Sequence, residues 1–177
     1  MSDILIIVDA QKGFITQCSS HVLEKLNTLQ HQFKHVIFTK FYNPDPLPFR
    51  NILDYQKLTP GHSDTDLALT AREDAVIIER PLYTCATQEL CEYLTRLQAR
   101  EVYVCGVATE ACVLKTVIDL FELNIRPYVI EDICASDQGE HYHNIAIELM
   151  KKLVGKEQVI KAEQLNNLLH IQASKTL

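Results

Sequence analysis

Ile4-Leu5-Ile6-Ile7-Val8 is an unbroken aliphatic run that stops at a carboxylate, Asp9. A half-exposed strand would alternate with polar residues, and an amphipathic helix would show them at helical spacing. An unbroken run has no solvent face, so it suits a strand covered on both sides, as in a parallel sheet sandwiched by helices. Val76-Ile77-Ile78 reads the same way. Further strands are expected at His35–Lys40, Ala75–Glu79, Glu101–Cys105, Pro127–Glu131 and, more weakly, Gln158–Ile160, six with the first at Ile4–Asp9.

Longer stretches with helical spacing separate these runs. Ser20–Phe33 places Val22, Leu23, Leu26, Leu29 and Phe33 on one face, and Thr87–Gln98 does so with Leu90, Tyr93, Leu94 and Leu97. Thr109–Leu123 offers Thr109 as an N-cap followed by an acidic first turn, with Val113, Val117, Leu120 and Phe121 in register. Helices are also expected at Asp64–Ala71, His141–Leu153 and Ala162–Leu169. Strand and helix alternating along the whole chain is the pattern of βα units around a parallel sheet, an α/β fold. Residues 43–61 break the rhythm with Pro44, Pro46, Pro48 and Pro60, and a long Pro-rich connection of this kind suits a lid or pocket wall.

The 177 residues fit one domain, 1–177, and 47% hydrophobic content is enough to fill its core. A net charge of -6 without any Lys/Arg-rich run argues against nucleic acid or an anionic membrane surface as partner. Met1-Ser2-Asp3 leads into the first apolar run with no basic flank or small-residue cleavage site, and no stretch approaches the length of a membrane span. The six cysteines are scattered in apolar surroundings without zinc-module spacing, as for free thiols in a reducing compartment. A cytoplasmic protein is expected.

Open parallel sheets bind ligands beyond the carboxyl ends of their strands, near the point where strand order reverses. Asp9 ends the first strand, Phe41-Tyr42-Asn43 follow the second, Arg80 follows the third, and Gly106 to Cys112 follow the fourth. Cys112 falls early in the helix opened by Thr109, where free N–H groups and the helix dipole would favour a thiolate. A thiol nucleophile needs a base, which Asp9 can supply, and a nearby cation such as Arg80 would favour developing negative charge. Each residue alone also has a plainer reading: a core cysteine, a helix-capping aspartate, a surface arginine.

Val8-Asp9-Ala10-Gln11-Lys12-Gly13-Phe14 resembles the Asp-x-Gln-x-x-Phe motif of isochorismatase-like cysteine hydrolases, a family that includes nicotinamidases. Gly106-Val107-Ala108-Thr109-Glu110-Ala111-Cys112-Val113 resembles their Gly-Val-Ala-Thr-Asp-x-Cys-Val motif, with Glu110 in place of aspartate. The resemblance continues through Ile78-Glu79-Arg80-Pro81-Leu82-Tyr83-Thr84 and Val129-Ile130-Glu131-Asp132. It implies a doubly wound three-layer αβα sandwich with a six-stranded parallel sheet of order 3-2-1-4-5-6. It also implies catalysis by Asp9 and Cys112, a cis peptide at Val107–Ala108, and an oxyanion hole from the N–H groups of Ala108 and Cys112.

Two positions depart from the family pattern. Arg80 stands where the family has lysine, and a guanidinium is larger, planar and never deprotonated. It either takes over the role of the lysine, or points to solvent or pairs with Glu79 or Glu110. Phe41-Tyr42-Asn43-Pro44 lines up with the Asp-x-His-Pro metal motif of nicotinamidases, yet neither Phe41 nor Asn43 is a zinc ligand and His62 alone cannot hold a metal. No metal and no cofactor are expected. Phe14, Phe41, Tyr42 and Tyr83 are candidates for an apolar substrate pocket, although Phe14 and Tyr83 would serve equally well as packing under the motifs.

The expected activity is hydrolysis of a small amide or related C–N bond through a cysteine thioester, with a small molecule as substrate. The rival is a binding or scaffold protein that kept the fold and lost catalysis, for which the exchange of lysine for Arg80 speaks. The resemblance further implies a homo-oligomer, with the Pro-rich segment near an interface.

Overall fold

The computed structural model describes residues 3–165. Six strands form one all-parallel sheet: β1 (Ile4–Val8), β2 (His35–Phe41), β3 (Val76–Arg80), β4 (Glu101–Val107), β5 (Arg126–Ala135) and β6 (Val159–Ile160). Their order is β3-β2-β1-β4-β5-β6, that of a doubly wound α/β sandwich. Right-handed crossovers place the connections of the two half-sheets on opposite faces, because strand order reverses between β1 and β4. Among the helices that accompany them are α1 (Leu23–Leu29), α2 (Pro48–Asn51), α3 (Gln88–Arg96), α4 (Leu114–Glu122) and α5 (Glu140–Leu153).

The central strand explains its own sequence. All five residues of β1 are fully buried, between β2 and β4, so no position on it tolerates polarity until the strand ends. β3 differs from its expected reading. It is an edge strand whose burial alternates, and Ile77 is 46% exposed, so Val76-Ile77-Ile78 is covered on one face only. β5 runs past its expected end at Glu131 because the register against β4 slips between Val104 and Gly106. Such an irregularity accommodates Glu131 and Asp132 within the strand.

Some helices are shorter or displaced. Ser20–Phe33 resolves into α1 flanked by single 3-10 turns at Ser20–Val22 and Gln30–Gln32. Thr87 caps α3, accepting from the Leu90 N–H at 3.2 Å. The helix expected at Asp64–Ala71 is absent. A 3-10 turn at Ser63–Thr65 leads instead into extended chain, where Leu67 bridges Gln11. Only residues 162–165 of the expected Ala162–Leu169 helix are described, and they are helical; the remainder lies outside the described residues.

Gly106 fixes the distance between the two strands that carry the site. Its φ of +124 and its contact with Val8 leave no room for a side chain, since a Cβ would sit 2.1 Å from the Val8 carbonyl oxygen. Val8 and Gly106 are direct register partners, so Asp9 and the turn after β4 leave the sheet side by side.

Candidate active site

Asp9 turns the chain out of the sheet with a left-handed φ of 46, a conformation aspartate tolerates better than most residues. Its side chain is fully buried, and each carboxylate oxygen has a donor: Oδ1 accepts from Thr39 Oγ1 at 2.8 Å and Oδ2 from Arg80 Nη2 at 2.5 Å. Gln11, two residues on, ties neighbouring loops together. Its Nε2 donates to the carbonyls of Phe41 and Thr65, both at 2.9 Å, and its Oε1 accepts from the Phe41 N–H at 2.7 Å. The glutamine of the first motif therefore extends the hydrogen bonding of the sheet beyond the ends of β1 and β2.

Arg80, at the end of β3, is 1% exposed and turned toward Asp9. The acids suggested as alternative partners are engaged elsewhere: Glu79 with Lys40, and Glu110 with Ser136. Arg80 Nε donates to Cys85 Sγ at 3.2 Å, the guanidinium lies over the Phe41 ring at 5.7 Å, and Nη1 has no hydrogen-bond partner. Burial is the largest single influence and disfavours the cation, but Asp9 together with Cys85 and Cys112 outweighs it and the guanidinium stays protonated.

The chain beyond β4 passes through a cis peptide at Val107–Ala108 into a π-helical turn at Thr109–Val113, closed by the Val113 N–H to the Ala108 carbonyl at 3.1 Å. Single π turns recur at functional sites. Thr109 does not cap this segment. Ala108 occupies the cap position, and Thr109 Oγ1 is hydrogen-bonded to His143 Nδ1 at 2.9 Å. The extra residue of the π turn also shifts the phase of α4, so that Thr116, Val117 and Leu120 are buried while Phe121 is 52% exposed.

Cys112 sits within the π turn, 4% exposed. Burial pushes its thiol well above the ordinary range, the nearby Asp9 charge raises it further, and Arg80 opposes both. The resting pair is thus a protonated thiol against a carboxylate, not the preformed thiolate that position near a helix start suggests. Desolvation outweighs the helix dipole here.

A cavity of about 200 Å³ opens over the thiol. Phe14, Phe41, Phe49, Tyr55 and Tyr83 wall it, and Ala108, Glu110, Cys112 and Asp137 complete the side nearest the π turn. Tyr42 is not among the lining residues. It follows Phe41 in extended chain, where successive side chains point to opposite sides, and its N–H donates to the Arg80 carbonyl at 3.1 Å. Sequence reasoning missed Phe49 and Tyr55, which lie in the Pro-rich segment, and also Thr39 and Cys85. For Thr39 there was a signal, a lone hydroxyl directly after the apolar Val36-Ile37-Phe38 of β2.

Phe41 and Asn43 do not fit a metal. Phe41 packs with Phe49 and Leu58 in a small apolar cluster, and Asn43 Nδ2 donates to the carbonyls of Tyr55 at 2.6 Å and Lys57 at 3.2 Å. His62 Nδ1 accepts from the Asp64 N–H at the start of the Ser63–Thr65 turn. Among the described residues, no three His, Cys, Asp or Glu side chains are grouped to hold a metal ion.

The sequence matches the Isochorismatase domain model over residues 3–164. Isochorismatase family protein 1A of Dictyostelium discoideum is 26% identical over 155 residues, 85% of this chain and 71% of that protein. Among solved structures, an isochorismatase-like hydrolase from Alkaliphilus metalliredigens superposes with a TM-score of 0.83 at 18% identity, covering 98% of this chain and 99% of that one. Pyrazinamidase of Pyrococcus horikoshii, in complex with zinc, superposes at 0.77 with 22% identity, over 90% and 97% of the two chains. Family model and fold agree, and the chain belongs to the isochorismatase family.

Proposed function

We propose that this protein hydrolyses a small amide or related C–N bond through a thioester on Cys112. The observation that carries this reading is a fully buried carboxylate, Asp9, ion-paired with the Arg80 guanidinium and close enough to raise the Cys112 thiol, which itself lines an aromatic-walled cavity. A carboxylate is a weak base for a thiol in water, but contact and burial allow proton transfer to accompany attack.

In this mechanism Cys112 Sγ attacks the substrate carbonyl carbon as its proton passes to Asp9. The tetrahedral oxyanion is held by the N–H groups of Ala108 and Cys112. Asp9 returns the proton to the leaving nitrogen, the C–N bond breaks, and the amine departs, leaving the thioester. Water then attacks the thioester carbonyl, giving a proton to Asp9, and collapse releases the acid with the proton restored to Cys112. Arg80 keeps Asp9 in place and supplies positive charge beside the sulfur; Thr39 fixes the second carboxylate oxygen. No step requires a metal.

The pyrazinamidase in the comparison acts, by its name, on an amide, which supports the reaction class. A panel of small amides assayed for ammonia release, with Cys112→Ala and Asp9→Asn beside the unaltered protein, tests the proposal. Turnover should fall by at least roughly 10³-fold in either variant, as when one member of a cooperating catalytic set is removed. Ammonia release that survives Cys112→Ala would overturn the cysteine mechanism. A panel without any turnover would favour a binding protein on the same fold.

A further inference from the structure

The charge distribution around the cavity points to the kind of molecule it takes. Five aromatic rings face it, and the ionisable groups among its lining residues are the Cys112 thiol, the phenols of Tyr55 and Tyr83, and two acids, Glu110 and Asp137. No lysine, arginine or histidine is among them. Arg80 lies below the thiol with its charge balanced by Asp9, and Lys115, on an adjoining surface groove, is paired with Asp119.

Glu110 is only half committed. Its Oε1 accepts from Ser136 Oγ at 2.7 Å, while Oε2 is buried with no hydrogen-bond partner. No cationic side chain among the described residues pairs with Glu110, so a ligand cation in the cavity meets no competitor for its charge. Aromatic faces present negative potential, so several of them with a carboxylate form a receptor for a cation rather than an anion. Tyr55 supports the sign of the field, since burial first and the Asp137 charge second push its phenol upward.

We propose that the cavity selects small molecules bearing a cationic nitrogen, an ammonium or quaternary ammonium, and turns away those bearing a carboxylate, with Glu110 and Asp137 as its specificity-determining residues. This rests on the reading of the cavity as the substrate pocket and names the substrate class: a small amide with a positively charged group.

Alkylation of Cys112 tests the selectivity without any need for turnover. Iodoacetate, iodoacetamide and (2-bromoethyl)trimethylammonium are anionic, neutral and cationic; each forms a C–S bond with loss of halide, the thiol proton going to solvent. Rates at Cys112, followed by peptide mass spectrometry, are divided by the rates of the same reagents with 2-mercaptoethanol. The normalised preference for the cation over the anion should be at least about tenfold, the size that one or two cation–π and charge contacts supply. It should collapse toward unity in the Glu110→Gln/Asp137→Asn double variant, whose fold is checked by circular dichroism. A normalised ratio near one in the unaltered protein, or one favouring iodoacetate, overturns the proposal whatever the variant does. A ratio that survives in the folded double variant removes Glu110 and Asp137 as its source and overturns their assignment. Selective alkylation without amide turnover would fail the hydrolase reading alone, and turnover without selectivity would fail this inference alone.

Discussion

Replacing Arg80 by methionine keeps much of the side-chain volume but leaves the Asp9 carboxylate fully buried without its counter-charge. Breaking one side of a buried ion pair costs about 3–5 kcal/mol, mostly as the desolvation of the abandoned charge. Asp9→Asn should cost about as much from the other side. It strands a guanidinium that is 1% exposed and has one nitrogen already unpartnered, leaving it only neutral acceptors, the amide oxygen and the Cys85 sulfur. The double variant removes both charges, so it should lose only about 0–3 kcal/mol, because a whole buried pair is often close to neutral against uncharged replacements. The three values imply a coupling of about 3 kcal/mol or more, a large share of the roughly 5–15 kcal/mol that holds a domain folded. Either single variant should melt roughly 6–20 °C lower. The chain has no tryptophan, so urea unfolding is best followed by far-UV circular dichroism. Additivity of the two single effects to within about 0.5 kcal/mol would show that Asp9 and Arg80 do not act as a pair, and would refute the reasoning.

Stability should fall at alkaline pH. Burial pushes the thiols of Cys85, Cys105 and Cys112 up and that of Cys134 to about 12. Their contribution is therefore complete below about pH 9 and is lost as unfolded thiols ionise above it, by up to about 1.4 kcal/mol per pH unit for each thiol. A flat urea midpoint between pH 8 and pH 10.5 would contradict this. Purified protein should contain no stoichiometric zinc and should be indifferent to chelators, because Phe41 and Asn43 are committed to packing and to loop carbonyls; metal analysis decides it. A homo-oligomer is expected, since Ile52, Leu53, Leu82 and Tyr83 expose apolar surface beside the cavity, and Ile52→Asp should shift it toward monomer. Sedimentation that finds a monomer at micromolar concentration refutes that expectation.

What could be read in advance follows from how local each signal is. The unbroken run of β1 announces burial on both faces, whereas the sheet order and the meeting of Asp9 and Cys112 at adjoining strand ends follow from the family resemblance that the two motifs carry. Residues 64–71 are expected as helix, yet the backbone there is captured by Gln11, Lys12 and Ala10, a competition no local window contains. The raised Cys112 thiol is hidden from a local window in the same way. Position near a helix start is a local fact, whereas desolvation and the Asp9 carboxylate arise only once the strands have assembled. Glu110 stands in place of the motif's aspartate, and its unpartnered oxygen emerges only from the geometry of Ser136 across the turn.

The two departures from the family pattern are better understood as one. Phe41 and Arg80 are register partners at the ends of β2 and β3, and the guanidinium lies over the phenyl ring. A flat, delocalised cation can stack on a ring while its edge donates in two directions, here to Asp9 through Nη2 and to Cys85 through Nε. A lysine ammonium could reach Asp9 but would present neither the flat face nor the second, fixed donor. Conversely, a metal-binding carboxylate at position 41 would compete with Asp9 for the same cation and draw it away from the sulfur. With phenylalanine there, the cation has a single carboxylate to serve. Phe41 and Arg80 are therefore mutually consistent, and together they keep a positive charge next to Asp9 and Cys112.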